Sequence, residues 1–305
     1  MGSGPFAAKV LEVLHREECF EIAAIVTQPA KEVGRKRVLE KTPVAQFAHD
    51  SNLQTPVFEC ANSKQILQHI QPKIHDFLIV CDYGVLLKQP VIDLPTIDTL
   101  NIHGSLLPQY RGASPIQEAL KNGDETTGVC LQSMVLALDA GDVYTSYEMN
   151  VGSQMKFSEL RDQLAWLGAK MLYQNLQSIA DGKLKAVAQD ESLVTHCFKI
   201  EKTEGLVNFS DDNVLDIFNK HRAFELWPKI YFEFRNQNII IHNCQVVNDI
   251  DVSENEIGEF FTLDKRLFVK CKGGVLEILE LQLPSKAKML TQDFLNGRSN
   301  YFDKK

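Results

Sequence analysis

The chain has 305 residues, 44% of them apolar and 24% charged, with a formal net charge of −8. That profile excludes a disordered chain and a wholesale polycation, and it leaves room for one large domain or two ordinary ones. With no run of eighteen apolar residues, no charged-then-apolar leader and an odd count of seven scattered cysteines, a soluble, metal-free protein of a reducing cytoplasm is expected.

In chain order, Met1-Gly-Ser-Gly leads straight into a helical stretch over 7–14, with no strand before it. A doubly wound sheet opens with a strand that feeds such a turn, so the first strand is expected to be missing here. Gly2 and Gly4 lack the third glycine of a dinucleotide fingerprint. Apolar runs over 21–28, 75–82 and 99–103 predict buried strands. Helical stretches over 43–51, 63–70 and 114–122 alternate with them. The alternation implies a Rossmann-like α/β domain with a mostly parallel sheet. A β pair over 128–134 and 143–150 follows, then a long helix over 156–180 closed by Gly182. Residues 183–204 are polar and weakly patterned and are expected to be a linker between domains 1–182 and 205–305. A short helix over 211–222 precedes strands over 229–235, 238–247, 257–263, 266–270 and 275–281, with a helical turn over 290–295. Five short strands separated by turn signals predict a small OB-like β-barrel.

Chemistry concentrates at the end of the 99–103 strand, in Asn101-Ile-His-Gly-Ser-Leu-Leu-Pro108. Strand alternation puts Asn101 and His103 on one side, at a carboxyl end where open α/β sheets bind ligands. A histidine suits proton transfer or donation to an oxyanion, and an asparagine amide can hold a carbonyl without changing charge. The turn Leu138-Asp-Ala-Gly-Asp142 offers Asp139 and Asp142 as orienting carboxylates. An Asn-X-His at a strand end is often a turn with a satisfied histidine, so spacing alone leaves the catalytic reading open without favouring it.

Asn101-X-His103 with Gly-Ser-Leu-Leu-Pro, then Tyr110-Arg-Gly-Ala-Ser-Pro-Ile and Asp139, together resemble the folate-dependent formyltransferase family. The resemblance implies a catalytic trio of Asn101, His103 and Asp139, and 10-formyltetrahydrofolate as donor. It makes Ser105, Leu106, Leu107 and Pro108 a folate-contacting loop. Val80-Cys-Asp-Tyr-Gly-Val-Leu-Leu87 is similar to a second folate wall, with Tyr83, Gly84 and Leu86 as contacts. There Asp82 stands where the family has a small residue. Thr27 to Arg37 resembles the loop that contacts a tRNA acceptor arm, with Lys31, Arg35, Lys36, Arg37 and Lys41 as its cations. Ala30 and Lys31 replace the usual Asp-Arg pair. Arg222-Ala-Phe-Glu-Leu-Trp-Pro228 and Asp293-Phe-Leu-Asn-Gly297 are similar to the start and end of that branch's C-terminal domain. The branch implies initiator methionyl-tRNA as acceptor, a tRNA-binding role for 205–305, no metal, and action as a monomer. Formyltransferases acting on glycinamide ribonucleotide or amino sugars, formylfolate hydrolases and a non-enzymatic RNA-binding module are the rival readings.

Overall fold

Pro5 occupies the first turn of α1 (Pro5–Leu14), where its missing N–H leaves no bond unmade, and Phe6, Ala7, Val10 and Leu14 form the buried stripe. The structure, a computed structural model, describes residues 1–34, 37–298 and 301–302. Its chain divides into two units, Met1–Pro115, Thr126–Val151 and Glu159–Cys197 on one side, and Ile116–Glu125, Gly152–Ser158 and Phe198–Lys305 on the other.

In the first unit β1 (Ile25–Thr27) is buried throughout. The exposed antiparallel hairpin of β2 (Lys31–Val33) and β3 (Val38–Glu40) follows. Thr42 caps α2 (Pro43–Asp50) by accepting from Ala45 N–H. β4 (Val57–Glu59) pairs in parallel with β1. Asn62 caps α3 (Ser63–His69), which leads to β5 (Phe77–Val80). The short α4 (Gln89–Ile92) carries the chain to β6 (Asp98–His103), parallel to β5. After β7 (Arg111–Gly112) and α5 (Pro115–Asn122), which from Ile116 on belongs to the second unit, β8 (Thr126–Ser133) adds to β6 and β9 (Val143–Asn150) adds to β8, both antiparallel. α6 (Phe157–Ala180) follows, and β10 (His196–Cys197) pairs in parallel with β7. The Rossmann-like alternation is therefore present, with parallel pairs in its first half and the later β pair antiparallel. Gly182 ends α6 at φ 68°, as its position after the apolar stripe predicts.

Met1 and Gly2 lie between β1 and β5. The Met1 ammonium donates to Ile79 O at 2.5 Å, Cys81 N–H donates to Met1 O, and Gly2 N–H donates to Val26 O. A core of Val26, Cys60, Ile66, Leu78, Val80 and Val91 fills the space around these strands. α6 presses directly on β6, because a Cβ on Gly168 would come 2.6 Å from Ile102 Cγ2. Ile102 thus faces the helix, and alternation turns Asn101 and His103 to the other side.

In the second unit Asn213 caps α7 (Val214–Ala223) through Leu215 N–H. β11 (Ile230–Phe234), β12 (Gln237–Val247), β13 (Phe260–Leu263), β14 (Arg266–Cys271) and β15 (Gly274–Gln282) form an antiparallel sheet in the order 11-12-15-14-13. The short β16 (Met289–Leu290) joins β15 and runs into α8 (Thr291–Leu295). Arg235-Asn236 and Asp264-Lys265, both pairs at positive φ, make two-residue hairpin turns whose twist matches that of the strands. Phe209, Phe232, Phe260 and Phe302 pack into one aromatic cluster. The expected strands are all present. Among the described residues no helix is long and apolar enough to cross a membrane.

Candidate active site

β6 carries Asn101 and His103 to its carboxyl end, and the β6–β8 register sets Gln132 directly opposite Asn101. Asp139 sits in the turn between β8 and β9 at φ 51°, a left-handed conformation that asparagine and aspartate tolerate better than most residues. Its carboxylate is the meeting point of the site. Oδ1 accepts from Gln132 Nε2 at 3.2 Å and from Asn101 Nδ2 at 3.5 Å, and lies 3.5 Å from His103 Nδ1. Oδ2 accepts from Gly112 N–H at 2.9 Å. The side chains of His103 and Asp139 are only 6% and 10% exposed, so their interaction is weakly screened.

The other face of the imidazole is equally defined. His103 Nε2 lies 3.0 Å from Tyr110 O, and a carbonyl can only accept, so that nitrogen carries a proton. Both ring nitrogens therefore face acceptor oxygens. Gly112 must be glycine, because at φ 130° a Cβ would lie 1.9 Å from Cys197 O. That close approach places its N–H on Asp139. Arg111, 5% exposed, reaches Gln189 and Glu191. Gln189 in turn donates to Asp139 O and Gly141 O. Residues 187–197, within the stretch expected to be a linker, thus belong to the first unit and its site. Val187 bridges Val143, and Thr195 O accepts from Arg111 N–H. Gln132 and Gln189 carry no motif in the sequence, and Arg111 and Gly112 stand there only within Tyr110-Arg-Gly, with no role assigned. Of the two glutamines, Gln132 carried a findable signal, its position opposite Asn101 once β6 and β8 are paired.

The two expected folate walls leave the carboxyl ends of adjacent parallel strands, β5 and β6. Leu86 is exposed, while Leu106, Leu107 and Pro108 are partly so. Gly84 turns at φ 63°. Two of the expected contacts spend their side chains internally. Ser105 is fully buried with its hydroxyl on Gln109 O, and the Tyr83 hydroxyl donates to Cys60 O. Desolvation of the Asp82 carboxyl, which lies against Gly4, raises its pKa to about 6, with a bond from Phe6 N–H and the charge of Arg161 pulling the other way. Of the basic loop, Lys31 lies on β2 with its ammonium on Gln28 Oε1, Arg37 pairs with Glu32 at 2.8 Å, and Lys41 is exposed. Arg35 and Lys36 lie outside the described residues.

A parallel-to-antiparallel sheet whose strand end presents Asn and His to the Asp of a neighbouring turn, beside two loops, is a recognisable class. The family model described as formyl transferase matches residues 1–176, and that for the formyl transferase C-terminal domain matches residues 199–299. The chain belongs to the formyl transferase family. Methionyl-tRNA formyltransferase of Sulfurihydrogenibium sp. is 35% identical over 302 residues, covering 97% of this chain and 95% of that protein. Its counterpart in Campylobacter jejuni is 35% identical over 98% of this chain and 95% of that protein. Among solved structures, the N-formyltransferase of Helicobacter canadensis in complex with folinic acid and dTDP-3-aminofucose matches with a TM-score of 0.67 at 15% identity, over 93% of this chain and 97% of that one. HypX from Aquifex aeolicus in complex with tetrahydrofolic acid matches with a TM-score of 0.57 at 20% identity, over 74% of this chain and 39% of that one. At such identities these two demonstrate a shared fold.

Proposed function

We propose that this chain transfers the formyl group of 10-formyltetrahydrofolate to the α-amino group of initiator methionyl-tRNA, with Asn101, His103 and Asp139 as the catalytic trio. The observation that carries the reading is the convergence of Asn101 and His103 on one Asp139 oxygen, in a chain related along nearly its whole length to methionyl-tRNA formyltransferases.

The chemistry follows from the groups present. The attacking amine, with an ordinary pKa of about 8, is partly neutral at pH 7 and needs no strong base. Its nitrogen bonds to the formyl carbon, whose oxygen takes the negative charge. The bond from that carbon to N10 of the folate then breaks, and the amine's proton ends on N10. Stabilising the oxyanion is the main task, and Asn101 Nδ2 and His103 suit it as donors in a water-poor site. His103 Nδ1 stays on Asp139 while Nε2 exchanges Tyr110 O for the oxyanion. Donor hydrogen bonds of this kind tighten when substrate arrives. Leu86, Leu106 and Leu107 offer an apolar wall to the folate, and backbone groups of 83–86 and 105–108 supply polar contacts.

For tRNA, the basic stretch 31–41, with the cations Lys31, Arg35, Lys36, Arg37 and Lys41, grips the acceptor arm, and 205–305 serves as a second tRNA-binding platform. Neutralising the loop cations then lowers the log–log salt slope of tRNA binding by roughly 0.7–0.9 per lost phosphate contact, leaving folate affinity unchanged. A cytoplasmic location accords with an odd count of seven scattered cysteines, and sedimentation checks the expectation of a monomer. The decisive experiment offers the protein labelled 10-formyltetrahydrofolate with methionyl-tRNA or a nucleotide-linked amino sugar. Label appears on the methionyl amine; label on the sugar amine alone would replace this reading with a sugar formyltransferase.

A further inference from the structure

One side chain outside the trio holds the Asp139 turn by its backbone. Gln189 Nε2 donates to Asp139 O at 2.9 Å and to Gly141 O at 2.7 Å, the two carbonyls that flank the turn's centre. Its orientation is not free. Gln189 Oε1 accepts from Arg111 Nε at 3.0 Å and from an Arg111 terminal nitrogen at 2.9 Å. Arginine has only donors, so the amide oxygen must face it and the amide nitrogen must face the turn. Arg111 is buried and its guanidinium is also held by Glu191 at 2.8 Å. The residue after Arg111 is Gly112, whose N–H is on the Asp139 carboxylate. Gln189 and Gly112 thus hold Asp139 from two directions, Gln189 at its backbone carbonyl and the Gly112 N–H at its carboxylate.

We propose that Gln189 is a positioning residue for formyl transfer, acting through Asp139, with Arg111 locking the direction of its amide. The proposal rests on the catalytic reading of Asp139 given above. The distance from Asp139 Oδ1 to His103 Nδ1 is already 3.5 Å, at the limit of a hydrogen bond, so a turn that relaxes by a fraction of an ångström uncouples the pair. Misplacement of about 1 Å in a catalytic constellation costs on the order of 100-fold in rate. Ground-state contacts to either substrate are not involved.

The test is a double-mutant cycle of Gln189 with Asp139, read in kcat and KM for both substrates, with thermal unfolding as a check on the fold. Gln189→Leu lowers kcat about 30- to 100-fold and leaves both KM values within about threefold. Gln189→Glu discriminates position from simple tethering. It keeps a partner for Arg111, yet sets a carboxylate oxygen against two carbonyl oxygens. Positioning requires that it lose kcat as Gln189→Leu does, whereas a tether would leave it near wild type. In an Asp139→Asn background neither substitution at 189 lowers kcat further, because the path runs through the missing charge. Additive losses, or a Gln189→Glu enzyme within threefold of wild type, overturn the proposal while Asp139 keeps its role. Full turnover in Asp139→Asn alone overturns the catalytic reading and this inference with it.

Discussion

The two units handle their polar groups in opposite ways. In the first, Asn101, Gln132, Asp139 and Gln189 come from four places in the chain and meet at one turn. In the second, the polar side chains of the sheet pair with strand neighbours, while the buried His221 and Arg222 lie on α7. Glu277 on β15 takes Gln245 from the adjacent β12 and Arg266 from the adjacent β14, and His242 faces Gln282 across β12 and β15. Ladder pairs of this kind stabilise a sheet and fix its register. Convergent groups instead present several donors to one point, which is what stabilising a developing charge requires. The difference teaches where chemistry belongs: the first unit concentrates its donors, and the second spreads its polar groups along a rigid surface.

The sharpest way to break this comparison is to remove the imidazole. His103→Ala should lower kcat by about 10²–10³-fold and leave folate affinity within about tenfold, since a transition-state donor is lost. The unfolding of the second unit should not change. Turnover above a tenth of wild type would mean that the convergence is structural.

Acid distinguishes the units next. His221 is 3% exposed. Burial, then Lys156, lowers its pKa from 6.5 to about 4, with Lys229 adding to the fall and Asn243 and Glu225 opposing it. The folded second unit keeps this ring neutral while the unfolded chain takes a proton near pH 6.5. The stability is therefore whole above pH 6.5 and lost as pH falls to about 4. At 1.36 kcal/mol per tenfold the loss approaches about 3 kcal/mol. Urea unfolding of wild type and His221→Gln across this range should show the loss in wild type only. Parallel curves for the two proteins would remove His221 from the account.

The smallest effect has the reverse sign. Asp82 is solvent-accessible as a residue, but its carboxyl is desolvated against Gly4 and titrates near pH 6 in the fold. The folded state thus binds a proton more readily than the unfolded chain. Wild type gains stability as pH falls from about 6 toward 4, and Asp82→Asn should melt higher at pH 7.5, with the advantage fading in acid. A lower melting temperature for Asp82→Asn at pH 7.5 would show that the charged carboxylate's bond to Phe6 N–H outweighs its desolvation.

By itself the sequence determined most elements, because their causes are local. Pro5, Thr42 and Asn62 start helices, Gly182 ends one, and alternation along β6 sets Asn101 and His103 on one face. It also determined the family, since the Asn-X-His and Asp-Ala-Gly-Asp motifs must coincide in order and spacing. Short strands such as β4, β7 and β10 were illegible, having three residues or fewer and no periodicity to read. Only the tertiary structure decided which groups reach Asp139. Gln132 depends on the register of β8 against β6, and Gln189 lies 50 residues beyond Asp139 in a stretch with no pattern of its own. Turn residues and caps act over a few positions, whereas register and the meeting of distant segments are fixed by the burial of the whole unit.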